Sequence, residues 1–189
     1  HPDYEVFTTG VHAKRGLACA DCHMPYRSEG GQKFTDHHIQ SPLNNVANSC
    51  QVCHRNETEA LVQLVYERQD KIKESRNTLE QILVRAHVEA KTAWDKGATE
   101  KDMQPVLQLI RQAQWRWDYA AAGHGNAFHS PLETSRIISH GIDKAQEARI
   151  TLLRILNKLG VTDEIAYPDI ATKAKAQAYI GLDMKKLNA

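Results

Sequence analysis

After residue 56, apolar residues recur at helical spacing. Before that position, the apolar residues show no sustained period of 2 or 3.6 residues. The chain then runs to about Trp94 without Pro or Gly. Within this stretch, apolar residues repeat every seven positions, at Val65, Ile72, Leu79, Ala86 and Ala93. Such spacing indicates a helix that packs lengthwise on another helix. We predict one long helix, with Asn56 as its N-cap, Glu59 completing the capping box, and Lys96-Gly97 at its end.

Two further helices follow from cap signals and apolar stripes. Thr99 and Asp102 predict the start of a helix that reaches about Ala122. After a Gly-rich break at 123–129, Ser130-Pro131-Leu-Glu133 predicts the start of a third, closed by Gly160. A weak helix is expected over about 169–180, and we expect no strand anywhere.

The first 55 residues are rich in Gly, Pro, Asp, Asn, Cys and His, and we expect mostly loop and short turns. Such a segment buries too little side-chain surface to order itself without a bound cofactor. We therefore divide the chain into a cofactor-binding segment at 1–55, a long-helix scaffold at 56–160 and a tail at 161–189. The fold class is mainly α, a loop-rich segment followed by long antiparallel helices, with no significant sheet.

Composition narrows the class of protein. The chain is 41% hydrophobic and 25% charged, which is typical of a globular protein, and its 24 basic and 23 acidic side chains nearly cancel. We therefore expect a soluble chain with no attraction for nucleic acid. It opens at His1-Pro2 without an initiator Met or signal-peptide features, so we expect a piece of a longer protein.

All four cysteines belong to two Cys-x-x-Cys-His motifs, Cys19-Ala-Asp-Cys22-His23 and Cys50-Gln-Val-Cys53-His54. This motif attaches haem c through two thioethers and places its His as a proximal iron ligand. We predict two haems c, which would form the core of the loop-rich segment and make this a multihaem cytochrome c. A structural zinc site is the weaker alternative, because the gap between the pairs exceeds the roughly 15 to 20 residues of a usual ribbon. Redox dithiols or disulfides would leave the histidines unexplained. Haem c attachment normally ends outside the cytoplasm, so we expect a periplasmic protein.

The chain has ten histidines, so eight remain besides the two in the motifs, more than two haems could use as distal ligands. An imidazole on both faces gives a closed centre suited to electron transfer. The candidates are His12, His37, His38, His124, His129 and His140. We expect one ligand from each of the pairs 37/38 and 124/129, and structural roles for His140 and for His87.

These residues resemble a known family. The resemblance rests on His1-Pro2-Asp-Tyr-Glu, Gly10-Val-His12, Cys19 to Pro25, Phe34-Thr-Asp-His37, Cys50 to His54, Trp115-Arg-Trp-Asp118 and Phe128-His129-Ser-Pro131. Together they look like the C-terminal half of the pentahaem cytochrome c nitrite reductases. The resemblance implies that the two motifs hold the fourth and fifth haems. The first three haems, including the lysine-ligated catalytic haem of a Cys-x-x-Cys-Lys motif, would precede this chain.

The resemblance also implies residue roles. His1 matches the active-site His that contacts nitrite and assists its protonation. His12 matches the distal ligand of the haem on the second motif, and His129 that of the haem on the first. His37 matches the distal ligand of a haem bound by the preceding half. The family's calcium ligands lie before His1, outside this sequence.

The parent reaction implied is the six-electron reduction of nitrite to ammonium, with electrons from a quinol-linked donor cytochrome or membrane partner. The resemblance further implies a homodimer formed through the long helices, which agrees with the seven-residue stripe. This chain alone would carry electrons and dimerise without reducing nitrite. We expect Lys-x-Gln immediately before His1. The alternative is a multihaem electron carrier without a substrate of its own.

Overall fold

The computed structural model describes residues 2–182 and Lys186, and it is mainly helical, as predicted. Three long helices form the scaffold, and the other helices are short. The long helices are α5 (Thr58–Asp95), α6 (Glu100–Ala122) and α8 (Pro131–Lys158). The short helices are α1 (Pro2–Thr9), α2 (Val11–Lys14), α3 (Cys19–His23), α4 (Val46–Ser49), α7 (Asn126–His129) and α9 (Lys173–Tyr179), with a 3₁₀ turn at Pro42–Asn45.

The apolar residues that repeat every seven positions on α5 pack against other helices of the same chain. Ile72 is 8% exposed and Leu79, Ala86 and Ala93 are fully buried, without any second chain present. Helix α8 packs along both α5 and α6, and its own apolar stripe meets that of α5. At Gly141 of α8 a Cβ atom would lie 2.6 Å from the Leu79 Cδ2, so the absence of a side chain lets the helices approach closely.

Helix ends follow the predicted caps with two exceptions. The prediction of Asn56 as N-cap of α5 is wrong, because Glu57 is the N-cap and the Asn56 carbonyl accepts a hydrogen bond from Gln51 instead. Ser130 precedes α8 as predicted, but its side chain makes no capping hydrogen bond. The capping box of Thr99 and Asp102 is confirmed.

Glycines end two long helices as predicted. Gly97, with φ +93°, follows α5, and Gly160, with φ +75°, follows α8. Both lie in the left-handed region that favours glycine. The weak C-terminal helix is shorter than expected, since α9 covers only Lys173–Tyr179.

The prediction that no strand occurs is wrong at one place. Strands β1 (Tyr26–Glu29) and β2 (Gln32–Thr35) form an antiparallel hairpin in which Tyr26 opposes Thr35. Gly30 and Gly31 connect them with φ of +57° and +80°. Positive φ at both central residues is the signature of a tight hairpin turn, and the Gly-Gly pair was the available signal. This small sheet leaves the mainly helical class intact.

The first segment is less irregular than its composition suggests. Short helices α1 to α4 occupy much of residues 2–49, each too short to show a helical period. Helix α1 packs against α7, which places the start of the chain beside the break between α6 and α8. No helix among residues 2–182 combines the length and apolar content that crossing a bilayer requires.

A buried ion pair fastens the segment after α8 to the scaffold. Glu89 of α5 is fully buried and accepts hydrogen bonds from Arg149 Nε at 2.9 Å and Nη2 at 2.6 Å. The Tyr167 hydroxyl donates to the same carboxylate at 2.7 Å. With these donors the buried charge is compensated, as a carboxylate in such a place must be.

Removing the Leu79 side chain tests the scaffold. Leu79→Ala is expected to lower the free energy of unfolding by about 2–5 kcal/mol, because it leaves a cavity among α5, α6 and α8. Chemical denaturation followed by helical circular dichroism measures it. Leu132→Ala, at a position 85% exposed, is the matched control and should change little. Equal losses from both variants would contradict the packing described.

Candidate functional site

An apolar cavity of about 750 Å³ lies where α1, α3 and α7 meet. Cys19, Cys22 and His23 line one part of it, and Phe128 and His129 line another. Its size and its mostly apolar lining are those of a cofactor or small-molecule pocket. The first Cys-x-x-Cys-His motif therefore opens onto a space that the second half of the chain completes.

Local hydrogen bonds shape both motifs into helical turns. In the first, Asp21 Oδ2 accepts from the Ala18 backbone N–H at 2.7 Å and starts α3, so that Cys19, Cys22 and His23 fall within one turn. In the second, the His54 N–H donates to the Cys50 carbonyl at 2.9 Å. Each turn thus brings two thiols and one imidazole together.

Each motif histidine faces a distant histidine. The ring centroids of His23 and His129 are 6.3 Å apart, with an angle of 75° between the ring planes. His54 and His12 show the same separation and the same angle. The structure therefore brings together the two pairs that the family resemblance implies.

This separation fits one metal ion between the rings of each pair. Two imidazoles bound to one metal at about 2 Å from each ring nitrogen have centroids roughly 6 Å apart. Rings in direct edge-to-face contact have similar separations, so the distance alone does not single out these pairs. What distinguishes them is that each contains the histidine of a Cys-x-x-Cys-His motif, and their spacing is compatible with one iron between His23 and His129 and another between His54 and His12.

One hydrogen bond orients the His23 ring. Its Nδ1–H donates a hydrogen bond to the backbone carbonyl oxygen of Gln40, 2.8 Å away. The lone pair of Nε2 is then available for a metal, as is usual for ligating histidines. Gln40 is far from the motif in sequence, so no pattern pointed to it.

Two glycines make room for His129. A Cβ atom on Gly10 would lie 1.9 Å from the His129 carbonyl oxygen, and one on Gly125 would lie 2.4 Å from the imidazole Cε1. Only glycine allows so close an approach. In the sequence, Gly10 stands out only as part of the Gly10-Val-His12 pattern, which does not indicate this contact.

Aromatic contacts hold both remote histidines. Phe128 stacks on His12, with centroids 5.5 Å apart and ring planes 22° apart, and Phe7 contacts the edge of His129.

Burial lowers the pKa of His129, and the nearby charge of Asp3 opposes this effect. Burial, with a smaller effect from His54, also lowers the pKa of His12. Both rings therefore favour the neutral form, the one that binds metal.

His37 and His38 have different surroundings. His37, exposed after β2, lies 2.8 Å through Nδ1 from the Thr35 carbonyl, so its Nε2 can face outward. His38 Nδ1 lies 2.8 Å from the carboxylate of Asp36, which is buried and also accepts from Arg27. The backbone N–H of His38, followed by its side chain, lowers the pKa of Asp36. Neither histidine belongs to the two imidazole pairs.

The remaining histidines are placed as follows. His124 borders the cavity but is exposed, His87 is exposed on α5, and His140 is half-buried on α8. His1, the predicted active-site residue, lies outside the described residues. Across residues 2–182 and at Lys186, no three His, Cys, Asp or Glu side chains converge as ligands of a directly bound metal ion.

Comparisons with known proteins agree with the motifs. All residues from 1 to 189 match the family model of cytochrome c552. Proteins named cytochrome c-552 from Parabacteroides distasonis and Bacteroides thetaiotaomicron are each 61% identical over 184 residues. One from Porphyromonas gingivalis is 58% identical over 188 residues.

These alignments cover 97% to 100% of this chain but only 37% to 38% of the relatives. The chain therefore spans a little over a third of the length of the curated relatives that it matches. It belongs to the cytochrome c552 family, and membership of a cytochrome c family implies haem c.

Filling the space beside His129 tests the geometry. In Gly125→Ala the new methyl group is expected to displace the imidazole and destabilise the protein by about 1–3 kcal/mol, the usual cost of overpacking. Thermal unfolding and the haem absorption spectrum measure the two effects. His124→Ala, an exposed change in the same loop, should alter neither. Wild-type behaviour of Gly125→Ala would contradict the close approach.

Proposed function

We propose that this member of the cytochrome c552 family is the electron-relay portion of a dissimilatory, ammonia-forming nitrite reductase. The observation that carries the proposal is the facing of each motif histidine by a remote histidine, both at 6.3 Å. Two such centres closed by imidazole are built to pass electrons. The nitrite chemistry rests on the family resemblance of the sequence.

In this proposal the chain holds two haems c. Cys19 and Cys22 would form the thioethers of the first haem, and His23 and His129 would hold its iron. Cys50 and Cys53 would form the thioethers of the second haem, and His54 and His12 would hold its iron. A bound haem would supply an iron that alternates between its ferric and ferrous states. With two histidines on each iron, neither centre would be open to substrate.

Contacts between the two motifs support a relay. Helices α3 and α4, which carry or precede the motifs, pack against each other. Phe128 stacks on His12, while the adjacent residue faces His23. These contacts support the proposal, because two haems held by these residues would be neighbours, as electron transfer between them requires.

The parent protein would reduce nitrite with six electrons and eight protons to ammonium and two waters. His1 would contact nitrite and help to protonate it, next to a lysine-ligated haem of the preceding part. His37 would ligate another haem of that part, and its exposed position after β2 suits this role. Calcium would bind there as well, outside this chain.

We place the parent protein in the periplasm, where a quinol-linked donor cytochrome or membrane partner would supply its electrons. We also propose a homodimer through the long helices. Since the α5 stripe packs against α8, the dimer would use the outer helix faces, which expose large apolar side chains. Examples are Leu64 at 44%, Trp115 at 58% and Leu153 at 56%.

The ligand assignment predicts the behaviour of three histidine variants. In full-length protein matured with the haem-attachment machinery, His12→Ala and His129→Ala should each convert one haem from six-coordinate low spin to high spin. Absorption and electron paramagnetic resonance spectra measure the change. His124→Ala, the matched neighbour, should keep every haem low spin. Absence of tetrapyrrole mass on the four cysteines would overturn the assignment.

The enzymatic part predicts a specific loss. His1→Ala in the full-length protein should lower the kcat for nitrite reduction by about 10²- to 10⁴-fold, the usual contribution of a proton-transferring side chain. Haem content and haem spectra should stay as in the wild type. Nitrite turnover by the wild type, assayed with a reduced dye as donor, provides the reference. A wild-type protein that transfers electrons without turning over nitrite would favour the pure electron carrier.

A further inference from the structure

The Nδ1 atom of His129 is buried and has no hydrogen-bond partner. Buried polar groups without a partner are rare, because each has lost its hydrogen bonds to water without replacement. When Nε2 of an imidazole binds a metal, the proton must reside on Nδ1. A ligating His129 would therefore have a buried N–H that needs an acceptor.

The carboxylate of Asp3 is in place to be that acceptor. Its Oδ1 lies 3.6 Å from Nδ1 of His129, which is beyond hydrogen-bond distance but within reach of a small adjustment. The same oxygen accepts a hydrogen bond from the Gly125 backbone N–H at 2.8 Å. This bond fixes Asp3, on α1, beside the loop that carries His129.

We propose that Asp3 is the carboxylate partner of the His129 ligand: it accepts a hydrogen bond from Nδ1–H, orients the ring and lowers the reduction potential of the haem on the first motif. The inference rests on the proposed ligation of that haem by His129. Asp3 is a positioning residue, since it acts through the imidazole.

The two axial ligands of this haem would then differ in kind. His23 donates to a neutral backbone carbonyl, that of Gln40, at 2.8 Å. His129 would donate to a carboxylate, and a charged acceptor makes the stronger bond. A carboxylate raises the basicity of a ligating imidazole, which favours the ferric over the ferrous iron. The potential of this haem would therefore respond to the charge at position 3.

Asp3→Asn in the full-length holoprotein is the decisive variant. Its amide oxygen keeps an acceptor for the Gly125 N–H, so α1 remains docked, while the negative charge is removed. The potential of the haem on Cys19 and Cys22 is expected to shift to a more positive value. Displacement of His129 by added imidazole should become about tenfold easier. Haem-resolved spectroelectrochemistry and an imidazole titration measure the two effects.

Glu5→Gln is the matched control, because it removes one negative charge from the same helix at an exposed position. It should leave the potential and the imidazole affinity unchanged. A shift in Glu5→Gln as large as that in Asp3→Asn would overturn the inference, since a general field would then explain both. Wild-type values in Asp3→Asn would overturn it as well.

His129→Ala, measured in parallel, separates this inference from the proposed function. If all haems stay six-coordinate in His129→Ala, the ligand assignment fails and the role of Asp3 fails with it. If His129→Ala loses one low-spin haem while Asp3→Asn behaves as the wild type, only the role of Asp3 is overturned.

Discussion

The gap between two facing imidazoles is the constraint on which the rest of the structure depends. The ring centroids of His23 and His129, and those of His12 and His54, are each 6.3 Å apart, the spacing that one iron bound by both rings would require. Three of these four histidines lie in the first 55 residues, a loop-rich segment that has little core of its own. The scaffold supplies the fourth, because His129 lies in the break between α6 and α8, where α7 packs on α1.

Sequence patterns revealed the parts of the structure that local chemistry determines. The thiol motifs, the capping box of Thr99 and the stop at Gly160 each depend on residues a few positions apart, and each is where the sequence predicted it. The pairing of the histidines came from a family resemblance, since no local signal links His129 to a motif. The contacts of Gln40 with His23 and of Asp3 with Gly125 could not be predicted from the sequence, because they join residues that are far apart along the chain. The hairpin was not predicted, because strands of four residues are too short to show an alternation of apolar and polar residues.

The stripe on α5 shows a limit of periodicity as evidence. A seven-residue apolar repeat indicates that a helix packs lengthwise against another helix, but it does not tell whether that helix belongs to the same chain or to a second one. Here Leu79 and Ala86 are fully buried against helices of their own chain. Any second copy must therefore contact faces that carry no such repeat, where large apolar side chains such as Trp115 are exposed.

Phe128 and His129 are consecutive residues that serve different centres, the first stacking on His12 and the second facing His23. A single peptide unit joins the two sites, so a rotation about it that disturbs one ring also moves the other. The backbone of α7 therefore positions a side chain at each site. A substitution that shifts this short helix would disturb the surroundings of His12 and of His23 together.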